Sequence, residues 1–180
     1  MKRVMILMSL MLLAQLLPTA CSSDETLSSP TSLYAIIKPE DAQIIDIVPS
    51  DYVLTLDNII AVNPNTGEFK MKNTERIDPK AYPIPVQYVI CFYSEGKMLF
   101  SARLNSSLSS YLPSGLTFCH FLTDKDGLSR YDLGMTTIIH EDGTREDEAS
   151  PQQQQGIEQM YEILRKAGKV RNFIDYDFQF

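Results

Sequence analysis

Two histidines, three cysteines and several clusters of carboxylates are the side chains of this 180-residue chain whose types most invite catalytic or metal chemistry. Cys119 directly precedes His120 inside an apolar run that reads as a strand. Neighbours in a strand point to opposite faces, so the two cannot act on each other as nucleophile and base. Neither His120 nor His140 has a second histidine at metal-ligand spacing, which favours packed or rim histidines over ligands. Cys91 also lies in an apolar run, and its distance from Cys119 in sequence excludes a C-x-x-C redox or zinc motif. Export would permit the pair to bridge, but burial as free thiols is the expected state of cysteines in strands. The nucleophile-elbow pattern G-x-S-x-G is absent.

Carboxylates are the only abundant catalytic type, so an enzymatic reading would be a small hydrolase using paired carboxylates. Asp124-Lys125-Asp126-Gly127, with Asp132 beyond it, loosely has the composition of a calcium loop. Its register does not fit the twelve-residue loop and no acid closes it, so a hairpin turn is the better assignment. Glu141-Asp142-Gly143 and Glu146-Asp147-Glu148 read as a solvated connection. No catalytic set, metal or cofactor is expected.

The elements that must position these residues follow from patterning. Residues 34–48 mix apolar pairs with Pro39 and read as a strand or a short helix; Thr55-Leu56-Asp57-Asn58 reads as a capped helical turn. Residues 59–72 form a hairpin around Asn63-Pro64-Asn65-Thr66-Gly67. Pro79, Pro83 and Pro85 bar a regular element, and residues 86–93 and 98–104 then flank Ser94-Glu95-Gly96-Lys97 as a second hairpin. Residues 116–123 are a third apolar strand, and Tyr131 and residues 135–140 continue the pattern. Such short connections imply antiparallel neighbours. From Pro151 the period becomes helical at Ile157, Met160, Tyr161, Ile163, Leu164 and Ala167, with Gly168 as a stop. The expected fold class is α+β: a meandering antiparallel sheet of five to seven strands, with one amphipathic helix near the C-terminus. Tyr176, Phe178 and Phe180 alternate like the last strand of an outer-membrane barrel, but too few and too charged strands precede them, so an edge strand is expected.

At the other end, Lys2 and Arg3 precede an apolar run from 4 to 17, the pattern of a secretory signal too short to span a bilayer. Pro18-Thr19-Ala20-Cys21 resembles the lipobox of bacterial lipoproteins, with Pro18 in the slot usually held by leucine. Residues 1–20 are thus expected to be a lipoprotein signal peptide, residues 21–33 a lipidated Cys21 with a disordered tether, and residues 34–180 one domain. An ordinary signal-peptidase cut after Ala20 is the alternative. Acylation of Cys21 would hold the chain to the membrane more firmly than a single acyl chain does. Loss of Lys2 and Arg3 leaves 14 basic against 23 acidic side chains, a charge of −9, which argues against nucleic acid as a partner.

Ser22-Ser23-Asp24-Glu25 resembles the acidic export signal of surface lipoproteins in Bacteroides-type bacteria. Together with residues 54–59 running into 63–68, the hairpin from Cys91 to Phe100 and the late helix, the chain resembles uncharacterised surface lipoproteins of that type. The resemblance implies an outer-membrane anchor facing the cell exterior and a structural fold, and it transfers no catalytic residue. The expected function is a non-catalytic binding or assembly module of the envelope. Its partners would be the membrane, through the lipid, and another envelope protein or a glycan-system component. The absence of tryptophan weakens glycan stacking, although nine tyrosines leave it open. The Ser-rich residues 105–115, displaying Tyr111 and Leu112, are the candidate contact loop.

Overall fold

A computed structural model describes residues 33–43, 46–110, 114–123, 127–136, 138–139, 145–146 and 149–172. Eight strands form one mixed sheet: Leu33–Pro39 (β1), Leu54–Thr55 (β2), Ile59–Asn63 (β3), Glu68–Met71 (β4), Tyr88–Ser94 (β5), Lys97–Ser106 (β6), Gly115–Thr123 (β7) and Ser129–Thr136 (β8), in the order β2-β1-β5-β6-β7-β8-β4-β3. Ile138–Ile139 (β9) and Arg145–Glu146 (β10) make a separate small ladder, and Pro151–Lys166 is a single helix, α1. The α+β class with one C-terminal helix is therefore as the patterning implies.

Two parts of the expectation are corrected. The strand count is higher, because β1 and β2 add an edge by pairing back onto β5. The sheet is also neither a simple meander nor wholly antiparallel: β4 docks beside β8, and β6 and β7 run parallel from Arg103↔Thr117 to Ser106↔His120. A parallel connection of only eight residues, 107–114, is feasible because the strands are offset. The chain need return only about 17 Å, from Ser106 to the level of Gly115, and eight residues reach about 27 Å. Arg103 fastens this return, donating through Nη1 to the Ser114 carbonyl at 3.1 Å.

The sheet closes on itself. Laid flat, eight strands at about 4.8 Å would span about 34 Å, yet the edge strands β2 and β3 are joined through Leu56–Asn58 alone, a reach of at most about 15 Å. The sheet must therefore coil into a barrel-like form, the size at which side chains fill the interior. Phe69, Phe92, Phe100, Phe118 and Tyr131 supply that filling, with Phe118 stacked on Tyr131 at 4.9 Å and meeting Phe69 and Phe92 edge-on at 5.6 Å. Strand β5 reads as a continuous apolar run because both faces are covered: Ile90 and Phe92 look inward, while Val89, Cys91 and Tyr93 join an outer cluster under Ile47 and Tyr52.

Both ends of the barrel are stopped. Following the pairings round the sheet places Leu33, the Ser94 to Lys97 turn, Gly115, Thr136, Glu68 and Asn63 at one end, where the residues preceding 33 join. Helix α1 crosses this near end from β6 to β3. Its N-cap Ser150 Oγ accepts from Gln153 N while Gln153 Oε1 accepts from Ser150 N. Met160 and Leu164 enter the core, and Gly156 meets the backbone of Leu99. Past the left-handed Gly168 (φ 69°), residues 169–171 pair with the edge of β3: Val62 N donates to Lys169 O and Arg171 N to Val62 O, both at 2.9 Å. The far end is stopped by residues 73–87. There the prolines start single 3-10 turns at Pro79 and Pro85, Ile77 is fully buried, and Tyr131 Oη donates to Ile77 O.

Candidate functional site

The two sequence-level contact residues, Tyr111 and Leu112, and the acylation candidate Cys21 lie outside the described residues, as do Asp124 and Asp126, His140 and residues 173–180. The described part of the contact loop is nonetheless informative. Ser107 N donates to His120 O and Ser107 Oγ to Phe121 O, which carries β6 on beside β7, and the next residue, Leu108, is 85 % exposed. Phe121 is 49 % exposed for a different reason. Alternation from the core residue Phe118 places it with Cys119 on the outer face of β7, and the register with β8 jumps between His120 and Leu122, so Phe121 is also the extra residue of a β-bulge. Ile84, held between Pro83 and Pro85, is 48 % exposed at the same end of the barrel.

Two clefts open there. One, of about 1000 Å³, runs between residues 39–41 and the proline segment 83–88, with Arg103 and Ser109 on its other sides. Its walls are tied by Glu40 N donating to Gln87 O and by the ion pair of Arg103 Nη2 with Glu40 Oε1 at 2.8 Å. Ile84 and Ser109 both line it, which brings Leu108, next to Ser109, into the neighbourhood of Ile84. The other, of about 940 Å³, lies between β1, residues 43–53 and residues 76–82, and is lined by Ile36, Val53 and Tyr82 with Lys38, Asp46, Asp51 and Arg76. Its cations are occupied by backbone: Arg76 donates to Tyr52 O and Ser50 O, and Lys38 Nζ donates to Ala42 O.

The chemistry-bearing residues are arranged as follows. His120 packs its ring against Tyr131 at 5.0 Å, with Nε2 3.1 Å from Thr123 Oγ1, and burial lowers its pKa from the usual imidazole range. It is the packed histidine that its surroundings in sequence imply. Cys91 and Cys119 are free thiols. They stand on the strands flanking β6, opposite Ser101 and Asn105, so two strand spacings of about 10 Å in total already exceed bridging range. Burial raises both thiol pKa values, and the Asp132 charge raises that of Cys119 further, the opposite of what a reactive cysteine needs.

Asp132 belongs to a polar row across the outer face of the sheet, in register with Cys119 on one side and Glu68 on the other. Desolvation raises its carboxyl pKa, and its buried Oδ1 has no hydrogen-bond partner among the described residues. Of the paired carboxylates a hydrolase would need, Asp46 and Asp51 share a cleft, but both are exposed to solvent, unlike the dry setting in which such pairs do acid–base work. No group of three or more His, Cys, Asp or Glu able to hold a metal occurs among the described residues. No described helix is long and apolar enough to cross a membrane.

The sequence did not single out Ile84, Leu108 or Phe121. Phe121 reads as core in an apolar run, but it takes the outer face with Cys119, opposite Phe118; Leu108 stands in the loop already chosen, and Ile84 stands between two prolines. No family model, curated protein or solved structure matches this chain.

Proposed function

We infer that this chain is a lipid-anchored envelope protein, held by Cys21, exposed at the cell exterior, and acting as a binding or assembly module for another envelope protein. The observation that carries the reading is a set of exposed apolar side chains at the barrel end farthest from Leu33, where the tether joins: Ile84 lines a cleft there, Leu108 adjoins its Ser109 wall, and Phe121 belongs to the far end of β7 beside Ser107. An apolar patch of this kind, rimmed by polar residues, is what protein partners cover. Its distance from the tether is what a display device requires.

Two experiments test it. Cys21→Ala should release the protein from the membrane fraction, and retention there would refute the anchor. Crosslinking and capture from intact cells should enrich an envelope protein with the wild-type chain and lose it with Leu108→Ser/Phe121→Ser, a pair of exposed positions whose substitution leaves the core intact; equal capture by both would refute the surface.

A second reading, a small hydrolase, has one observation in its favour, the meeting of Asp46 and Asp51 in the cleft beside Arg76. Hydrolysis of a glycoside or ester panel that Asp51→Asn abolishes would establish it.

A further inference from the structure

The near end of the barrel has a surface of its own. In a mature chain of charge −9, Arg165, Lys166, Lys169 and Arg171 fall within seven residues, and no acid occurs between 163 and 172. Arg165 and Lys166 occupy the last turn of α1, where they also complement the helix dipole, but Lys169 and Arg171 lie beyond the helix and have no such role. Their placement is fixed by backbone: Lys169 N donates to Leu164 O at 2.8 Å, and the pairing of Val62 with Val170 holds 169–171 extended on the edge of β3. Val170 packs on the core, so its neighbours Lys169 and Arg171 project together to the opposite side. Arg165, Lys166 and Arg171 are exposed, and none of the four cations has an ion pair or a side-chain hydrogen bond with the described residues. Glu158 and Glu162 precede the cluster on α1. Met98, 56 % exposed after the Ser94 to Lys97 turn, lies at the same end of the barrel.

We propose that this end of the domain is a membrane-docking surface, in which Arg165, Lys166, Lys169 and Arg171 engage the anionic head groups of the bilayer that holds Cys21. The inference rests on the lipid-anchor reading, because Leu33 belongs to the same end and a tether of about 20 Å mean span keeps that end close to the head groups. Cations near an anionic surface attract it at close range, so a tethered domain is turned with α1 toward the lipid and with Ile84, Leu108 and Phe121 away from it.

The test uses the mature chain from residue 21 carrying Cys21→Ala, which binds vesicles only through its surface, so its outcome is separate from that of the fractionation experiment. Co-sedimentation is measured with vesicles of phosphatidylcholine alone and with vesicles rich in phosphatidylglycerol. The expected result is binding to the second only, lost when salt rises from about 0.05 to about 0.5 M, and weakened at least about tenfold by Arg165→Gln/Lys166→Gln/Lys169→Gln/Arg171→Gln. Lys72→Gln/Lys80→Gln, at the far end, should bind within about twofold of the parent, since those charges do not face the lipid. Circular dichroism confirms that each variant is folded. No binding to anionic vesicles, equal binding to both vesicle types, or a quadruple variant that binds like the parent would each overturn the proposal.

Discussion

Gly156→Ala is the sharpest test of how α1 closes the barrel. In an ordinary helix interior this substitution stabilises by about 1 kcal/mol, because alanine has the higher helix propensity. At this position a methyl carbon would lie 2.6 Å from the carbonyl carbon and 3.3 Å from the Cα of Leu99, and closer still to the carbonyl oxygen. These are backbone atoms of a paired strand, so no side-chain rotation relieves the overlap and the helix itself must move off β6 by about 1 Å. That shift strains the Gln153 Nε2 to Ser101 O bond and loosens Met160 and Leu164, both fully buried. Overpacking of this kind costs about 1–3 kcal/mol, and partial exposure of two core side chains adds about 1–2 kcal/mol. Set against the propensity gain, the net loss is about 1–4 kcal/mol, or a fall in Tm of about 3–12 °C for a domain of this size. Thermal unfolding followed by circular dichroism measures it, with Gln155→Ala on the exposed side of the same helix as the comparison, expected within about 0.5 kcal/mol of the parent. A Gly156→Ala protein as stable as the parent, or more so, would refute the close seating of α1 on β6.

Phe118→Ala removes the ring that meets Phe69, Phe92 and Tyr131 and should destabilise by about 3–5 kcal/mol in urea unfolding, and a loss under 1 kcal/mol would contradict the aromatic core. Asp132 has a folded-state carboxyl pKa raised by desolvation, so the unfolded chain releases its proton first and stability falls as pH rises through the carboxylate range. Asp132→Asn should therefore raise Tm at pH 7, with the difference closing as pH is lowered through that range; a variant less stable at pH 7 would mean that the charge is compensated. For the Cys21→Ala chain, alkylation in denaturant without reductant should add two labels, at Cys91 and Cys119, while native Cys91 stays unreactive on the timescale of a surface thiol; a mass showing no label would require a disulfide that the strand order forbids.

Patterning alone determined the local elements. The hairpin across residues 63–67, the turn at 94–97, the Ser150 to Gly168 helix and the 3-10 turn after Thr55 all depend on contacts within a few residues, and each is found near its expected place. The Thr55 turn shows why: Asn58 Oδ1 accepts from both Thr55 N and Thr55 Oγ1, a cap written in four consecutive residues. The isolation of His120 was legible for the same reason, since a strand fixes which face each neighbour takes. The export and anchoring reading of the first 25 residues also comes from composition and the position of Cys21, and it stands as the proposal that the Cys21→Ala fractionation tests.

The tertiary structure decided what depends on strand order. A hydrophobic run carries no information about which strand lies beside it, so the parallel union of β6 with β7, the docking of β4 against β8 and the return of β1 to β5 become visible only when the sheet is assembled. Coiling of that sheet is what separates a near end, holding Leu33 and the cations after α1, from a far end holding Ile84, Leu108 and Phe121. Phe121 takes the face of Cys119, opposite Phe118, so whether an apolar residue of β7 becomes core or surface is decided by which face the assembled sheet turns inward. The sequence by itself determined the building elements; the division of the domain into an end holding Leu33 and an end holding Ile84, Leu108 and Phe121 arises from pairings between residues far apart in the chain, whose energies no local pattern encodes.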